Sequence, residues 1–367
     1  MKILFAGGGT AGHINPALSI AQYIKQKMPQ SEICFVGNPK GMEFTLVPQA
    51  GYKIYPINIR GFKRKLSLYN LGTVKQLLTA LKQSEKIIKE FKPDLVVGTG
   101  GFVSGPILYK AAKMGIPTAI HEQNSYPGIT TKILSRYVDK IMLTNEDAKK
   151  HIKNSDKCIV TGLPINEDFQ YYKKEKARAE LGLDNRPVIL SFGGSLGARV
   201  LNEAIIELIS KEWQNKKIQF IHGTGANYYK WFLDSLKQKN VDIGASHIQI
   251  KEYINDMPRR FAAADLIICR CGASTLCQLQ VQGKPSILVP SPNVTENHQY
   301  YNAVSLRDRG AAIIIEDKDL TGNLLVETIQ KLISDPITLN NMGKAAYEMA
   351  VFNANDRIFE VLKSITR

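Results

Sequence analysis

Lys2-Ile-Leu-Phe-Ala-Gly-Gly-Gly-Thr-Ala-Gly-His13 opens the chain, and Val188-Ile-Leu-Ser-Phe-Gly-Gly-Ser-Leu-Gly-Ala-Arg199 repeats its plan. Each is a short apolar run, a glycine turn and then a helical pattern. Ala17, Ile20, Ala21 and Ile24 carry that pattern after the first, and Leu201, Ala204, Ile205 and Leu208 after the second. A continuous apolar strand feeding a glycine turn and a helix is how a doubly wound α/β domain begins. Two such openings predict two similar domains in tandem, and 367 residues are enough for them.

Further strands are expected at Glu32–Val36, Leu95–Gly98, Thr118–His121 and Lys140–Leu143, then at Ile218–His222, Ile248–Ile250, Leu266–Cys269 and Ser286–Val289. Helical patterns alternate with them, which predicts a parallel sheet in each half. Gly162-Leu-Pro164 and the lysine-rich stretch after it set the boundary near Gly162–Lys176. The expected domains are 1–163 and 164–345, followed by a terminal helical segment over 346–367.

Composition narrows the function. Hydrophobic residues at 44% and charged residues at 22% are globular values, which excludes a disordered or fibrous chain. No apolar run is long enough for a membrane-spanning helix. The run Ile3–Ala6 meets glycines at once, so it reads as a first strand rather than a signal peptide, and the cytoplasm is the default compartment. Five cysteines without paired spacing do not form a disulfide framework. Cys269, Cys271 and Cys277 lack a histidine to complete a zinc set and read as core thiols. A net charge of +15 asks for an anionic partner, and no nucleic-acid motif accompanies it.

The turns suggest the anion. Gly7, Gly9 and Gly12 satisfy G-x-G-x-x-G, in which glycine lets a diphosphate approach the backbone and the helix start offers N–H groups. A nicotinamide site would also need an acid ending the second strand, where Val36-Gly37-Asn38 has none. In Gly193-Gly-Ser-Leu-Gly197 the Ser195 hydroxyl and the amides of Leu196 and Gly197 can meet a phosphate. Gly100-Gly101-Phe-Val-Ser104-Gly105 is a third such turn, and three turns favour two phosphorylated ligands.

Six stretches, in order and spanning nearly the whole chain, carry a family resemblance. They are Gly8–His13, Thr99–Pro106, His121–Asn124, Phe192–Arg199, Cys269–Ala273 and Asn297–Ala303. With them the chain resembles the MurG family of peptidoglycan N-acetylglucosaminyltransferases. The resemblance implies an α/β GT-B fold, two Rossmann-like parallel-sheet domains facing a central cleft. It implies inverting transfer of GlcNAc from UDP-GlcNAc to the 4-hydroxyl of undecaprenyl-diphosphate-linked MurNAc-pentapeptide (lipid I to lipid II), with no cofactor and no metal. It also implies a peripheral location on the cytoplasmic face of the bacterial inner membrane, and a last helix that crosses back to the first domain.

The same resemblance distributes roles. Ser195, Leu196 and Gly197 surround the donor diphosphate. Arg270, Ala273, Ser274 and Thr275, with Ile254, are placed for nucleotide contacts. His298 and Gln299 are expected at the donor sugar and phosphates, and Asn124 at a donor hydroxyl, with Thr10 and Gly12 beside it. Gly8, Gly9, Gly101 and Ser104 are expected at the acceptor diphosphate. Two positions depart from the family. Gln278 replaces the usual glutamate at the ribose, and Asn166 replaces an arginine after the Gly-x-Pro turn, which puts donor affinity in question.

His13, at a helix start whose dipole disfavours the imidazolium, is read either as the general base or as a histidine that caps the helix or orients phosphate. Glu122 is the second candidate base, or else a buried carboxylate holding its loop. Residues 60–92 carry a net charge of +7 around Leu71, Val74, Leu78, Leu81 and Ile88 at helical spacing. That pattern suits either an anionic membrane surface or a core-facing helix with a solvated lysine face. The competing functions are a UDP-GlcNAc 2-epimerase-like enzyme and a weakly active or non-catalytic relative with altered donor binding.

Overall fold

The computed structural model describes residues 1–61 and 68–366. The chain divides into two compact units, Met1–Ile165 with Val351–Arg367, and Asn166–Ala350.

In the first unit seven strands form one sheet: β1 (Lys2–Gly7), β2 (Glu32–Gly37), β3 (Lys53–Pro56), β4 (Leu95–Gly100), β5 (Thr118–Glu122), β6 (Lys140–Leu143) and β7 (Cys158–Val160). Their order is β3-β2-β1-β4-β5-β6-β7, and every pairing is parallel. The strand period of two divides the core. Leu4, Ala6, Val36 and Val96 join Ile107 and Ile88 on one face, while Ile3, Phe5, Phe35 and Val97 join Ile14, Ala17 and Ile20 on the other.

In the second unit six parallel strands follow the same plan: β8 (Val188–Phe192), β9 (Gln219–Gly223), β10 (Ile248–Lys251), β11 (Leu266–Cys269), β12 (Ser286–Leu288) and β13 (Ala312–Ile314). The order is β10-β9-β8-β11-β12-β13. Each sheet therefore reverses its winding beside its opening strand, which brings the turns after β1 and β4, and those after β8 and β11, to the carboxyl edge where doubly wound sheets take ligands.

Three strands escape the sequence reading: β3, β7 and β13. All are short edge strands of three or four residues with only partial burial, so they lack the unbroken apolar run of a central parallel strand. The helix expected through Ala346–Ile365 is two helices, Pro336–Glu348 and Ala354–Ile365. The second lays Ile358, Val361 and Leu362 on the core beside Ile14 and Ile20, and Tyr23 donates a hydrogen bond to Asp356.

Candidate active site

In the first unit β1 ends at Gly7, and the turn Gly8–Thr10 leads into the Ala11–Lys27 helix with His13 in its first turn. The next strand's turn closes on this one. Gly101 has φ +78°, and a Cβ there would run into Gly8 O; Gly100 has φ +106°, and a Cβ there would lie 2.7 Å from His13 Cδ2. Both positions therefore require glycine for conformation and for space. Thr99 Oγ1 donates to His13 O at 2.8 Å, and Ser104 Oγ lies 2.6 Å from Ala6 O and 2.8 Å from Gly100 O.

Two of the residues expected at the acceptor diphosphate have partners within the unit. The Ser104 hydroxyl is fully buried and ties β1 to β4, so it positions the turns. The Gly9 N–H donates to Glu43 Oε2 at 3.1 Å. Glu43 is 1% exposed, and its other oxygen accepts from Asn38 N at 2.9 Å. The sequence offers Asn38 and no acid at the end of β2, yet Glu43 reaches back from the next helix to the glycine turn.

The His13 ring is fixed at one nitrogen. Nδ1 lies 3.0 Å from Gly8 O and 3.3 Å from Thr10 Oγ1. A carbonyl only accepts, so Nδ1 carries the hydrogen and a neutral ring has its lone pair at Nε2. Glu122 is 4% exposed and fully engaged: Oε1 accepts from Asn124 N and Nδ2 at 3.1 and 3.2 Å, Oε2 from Gly128 N and Thr131 Oγ1 at 3.1 and 2.6 Å. Its carboxylate organises the Asn124–Thr131 loop.

In the second unit the turn after β8 exposes Gly194, Ser195 and Leu196. Gly197 has φ +84°, and Gly225, φ +79°, packs against it so closely that neither tolerates a side chain. The Gly197 N–H donates to Gly194 O at 3.0 Å and so closes the turn. A buried chain of polar groups lies beneath: Ser191 Oγ 2.7 Å from His222 Nδ1, His222 Nε2 3.0 Å from Asn202 Oδ1, and Asn202 Nδ2 donating to Thr224 O at 3.0 Å. Burial pushes His222 down to about 3, and the donors and acceptors run in one direction only if the ring is neutral with its hydrogen on Nε2. None of these three residues is a chemical motif, and their alternation on strands and a helix carries no signal of a network.

Past β11 the Ala273–Val281 helix begins with Ala273, Ser274 and Thr275 partly exposed, and Gln278 lies one turn on. Gln299 Oε1 accepts from Cys271 N at 3.2 Å and Ser291 N at 2.9 Å, which joins the turns after β11 and β12. His298 starts the His298–Arg307 helix, with Nδ1 2.7 Å from Thr295 O, and Ile254 is buried against Gly223. Arg270, expected among the nucleotide contacts, is partly buried. Its Nη1 lies 2.5 Å from Asp317 Oδ1 and 3.2 Å from Val289 O, so it joins the turns after β12 and β13. Asn166 is exposed and accepts from Asp168 N at 2.9 Å.

Two family models cover these units: residues 3–143 match the glycosyltransferase family 28 N-terminal domain and residues 188–358 its C-terminal domain. A UDP-N-acetylglucosamine–N-acetylmuramyl-(pentapeptide) pyrophosphoryl-undecaprenol N-acetylglucosamine transferase from Acetivibrio thermocellus is 44% identical over 368 residues, covering 100% of this chain and 99% of that one. The chain belongs to the MurG family of glycosyltransferases. A second transferase of the same name, from Bacillus cereus, is 42% identical over the full length of both chains. The crystal structure of Acinetobacter baumannii MurG superposes with a TM-score of 0.81 at 28% identity over 99% of each chain. UDP-GlcNAc 2-epimerase from Neisseria meningitidis shares the fold at a TM-score of 0.66 and 18% identity, over 99% of this chain and 100% of that one. The MurG-family chain is thus an N-acetylglucosaminyltransferase of GT-B type.

Proposed function

We propose that the chain moves N-acetylglucosamine from UDP-N-acetylglucosamine to the 4-hydroxyl of N-acetylmuramyl-(pentapeptide) pyrophosphoryl-undecaprenol with inversion, converting lipid I to lipid II. Full-length identity of 42–44% to transferases of that name carries the reading. The second unit takes the donor. Ser195 and Leu196 meet the diphosphate, Ser274 and Thr275 with the start of their helix the nucleotide, and Gln278 the ribose. Asn124, Thr10 and Gly12 on the first unit face the transferred sugar, and the turns around Gly8 and Gly101 face the acceptor. His13 takes the proton of the acceptor hydroxyl at Nε2 as the oxygen bonds to the anomeric carbon. The carbon–oxygen bond to the diphosphate breaks, and UDP leaves with the electron pair.

The Leu68–Phe91 helix is the membrane face in this reading. Leu71 is 69% exposed, Leu78 59% and Val74 46%, with Lys75, Lys82, Lys86 and Lys89 also exposed. Exposed apolar side chains among lysines suit an anionic lipid surface, and a lipid-linked acceptor calls for one at the cytoplasmic face. Lys63, Arg64 and Lys65 of the same basic segment lie outside the described residues. Nucleic acid is no partner in this reading.

Incubation of the chain with UDP-[14C]GlcNAc and a lipid I analogue is expected to place label in the lipid product, and His13→Ala to cut turnover at saturating substrates by ~10²–10⁴. UDP-ManNAc formed from UDP-GlcNAc alone, with no labelled lipid, would replace this reading by the epimerase one.

A further inference from the structure

We propose that Glu43 is a positioning residue, holding the His13 imidazole in its proton-accepting form through the single peptide group that joins Gly8 to Gly9. The inference rests on the reading of His13 as the group that takes the acceptor proton. The N–H of that peptide donates to Glu43 Oε2 at 3.1 Å, and its carbonyl receives His13 Nδ1 at 3.0 Å. A peptide is planar and trans, so its N–H and C=O point in opposite directions. A carboxylate at the N–H end draws the amide dipole toward it and makes the far oxygen a better acceptor. The hydrogen is thereby kept on Nδ1 and the lone pair on Nε2. The arrangement is a carboxylate oriented on an imidazole, with one amide between them, and it resembles in logic the direct carboxylate–histidine contact of hydrolytic triads.

Everything around the pair is fixed. Glu43 is 1% exposed, its second oxygen is held by Asn38 N at 2.9 Å, and Asn38 Nδ2 is in turn tied to Ile59 O at 2.6 Å. Side chains at Gly8, Gly37 or Gly41 would all collide with the Glu43 side chain, so three glycines form its socket. At the other end Nε2 lies over Gly100, 3.0 Å from where a Cβ would stand, so the absence of a side chain keeps the lone pair accessible. Among the described residues, the other charged and titratable groups on β1, β4 and the helices that follow them are distant along the chain. Lys2 begins β1, Tyr23, Lys25 and Lys27 end the His13 helix, and Tyr109, Lys110 and Lys113 end the Gly101–Lys113 helix. Among the described residues, Glu43 is the charged side chain in hydrogen-bond contact with the turn.

The test uses the full chain labelled with [15N]histidine, with the His13→Gln variant assigning the His13 signals among six histidines. In the unmodified chain the shifts are expected to show Nδ1 protonated and Nε2 bare. In Glu43→Gln, folded by circular dichroism, that tautomer loses population and kcat falls roughly ten- to hundredfold, with KM for UDP-GlcNAc within about twofold. A turn held only for its shape would raise KM or lower stability and leave the tautomer alone. An Nε2–H tautomer in the unmodified chain overturns the proposal. So does a folded Glu43→Gln with unchanged His13 shifts and unchanged kcat. If Glu43→Gln does not fold, Glu43→Asp, which keeps the charge but draws the carboxylate back by one methylene, takes its place under the same readouts and the same overturning result. Full turnover in His13→Gln would remove the general-base reading separately, because the tautomer is measured without catalysis.

Discussion

Gly100 and His222 show how much of the chemistry rests on single positions. Replacing Gly100 by alanine puts a methyl 2.7 Å from His13 Cδ2 at a φ of +106°, so the ring must move. We expect Gly100→Ala to cost about 1–3 kcal/mol in urea unfolding and to abolish most transfer, with UDP binding by calorimetry retained. His222 predicts a pH dependence. Its folded value of about 3 lies below the ordinary 6.5, so between the two the unfolded chain binds the extra proton and the folded chain does not. Stability from this group is therefore present above pH 6.5 and is lost as pH falls toward 3, to a limit of about 5 kcal/mol. Unfolding free energies measured at several pH values should fall in that window, and a His222→Gln chain should show a flatter profile there. The glycine turns and His13 are legible in the sequence because glycine has little reason to cluster after a strand unless the backbone must turn tightly there. Glu43, Asn202 and the inward turn of Arg270 are not, because a lone acid, amide or arginine has no spacing that betrays its partner, and Asp317 is far from Arg270 in the chain.

Helix Leu68–Phe91 shows the same limit for an element. Its apolar positions form one stripe by spacing, yet the structure divides them. Ile88 is buried with Ile87 and Phe91, whereas Leu71, Val74 and Leu78 stand in solvent. Periodicity tells that a face exists but not which face meets the core. Here the covered face nearer the amino end is built from Thr73, Ala80 and Ser84, with Ser84 Oγ donating to Ala80 O at 2.7 Å and Thr73 Oγ1 accepting from Arg60 Nε at 3.0 Å. Replacing Leu71, Val74 and Leu78 together by serine is expected to change stability by no more than about 0.5 kcal/mol at each site, because none leaves a cavity. Flotation with anionic vesicles should drop severalfold, and transfer to a water-soluble acceptor analogue should stay unchanged. Central strands are legible and the edge strands β3, β7 and β13 are not, since a strand covered on one side only loses the continuous apolar run by which a buried parallel strand is known.

At the scale of the molecule, the tandem plan is readable from the two glycine openings, since the strand–turn–helix unit that begins one doubly wound domain begins another where it recurs. The return of the chain after Ala350 has no such mark in composition. Leu362 is 1% exposed on the core that Ile14, Ile20 and Phe35 share, so Leu362→Ala should cost about 2–5 kcal/mol in urea unfolding, and the cost should fall on the unit that holds the sequence's beginning. A chain ended at Ala350 should expose that core and bind a hydrophobic dye, while residues 166–350 keep their secondary structure. The same feature bears on birth as well as on stability. A ribosome releases the polypeptide from its amino terminus, and the later unit is one uninterrupted stretch, ready to close once Ala350 has left the exit tunnel. The earlier unit must keep a greasy flank open through all of that time, until the segment after Ala350 has followed it out. A nascent chain stalled before that segment emerges therefore presents an apolar surface of the kind chaperones hold.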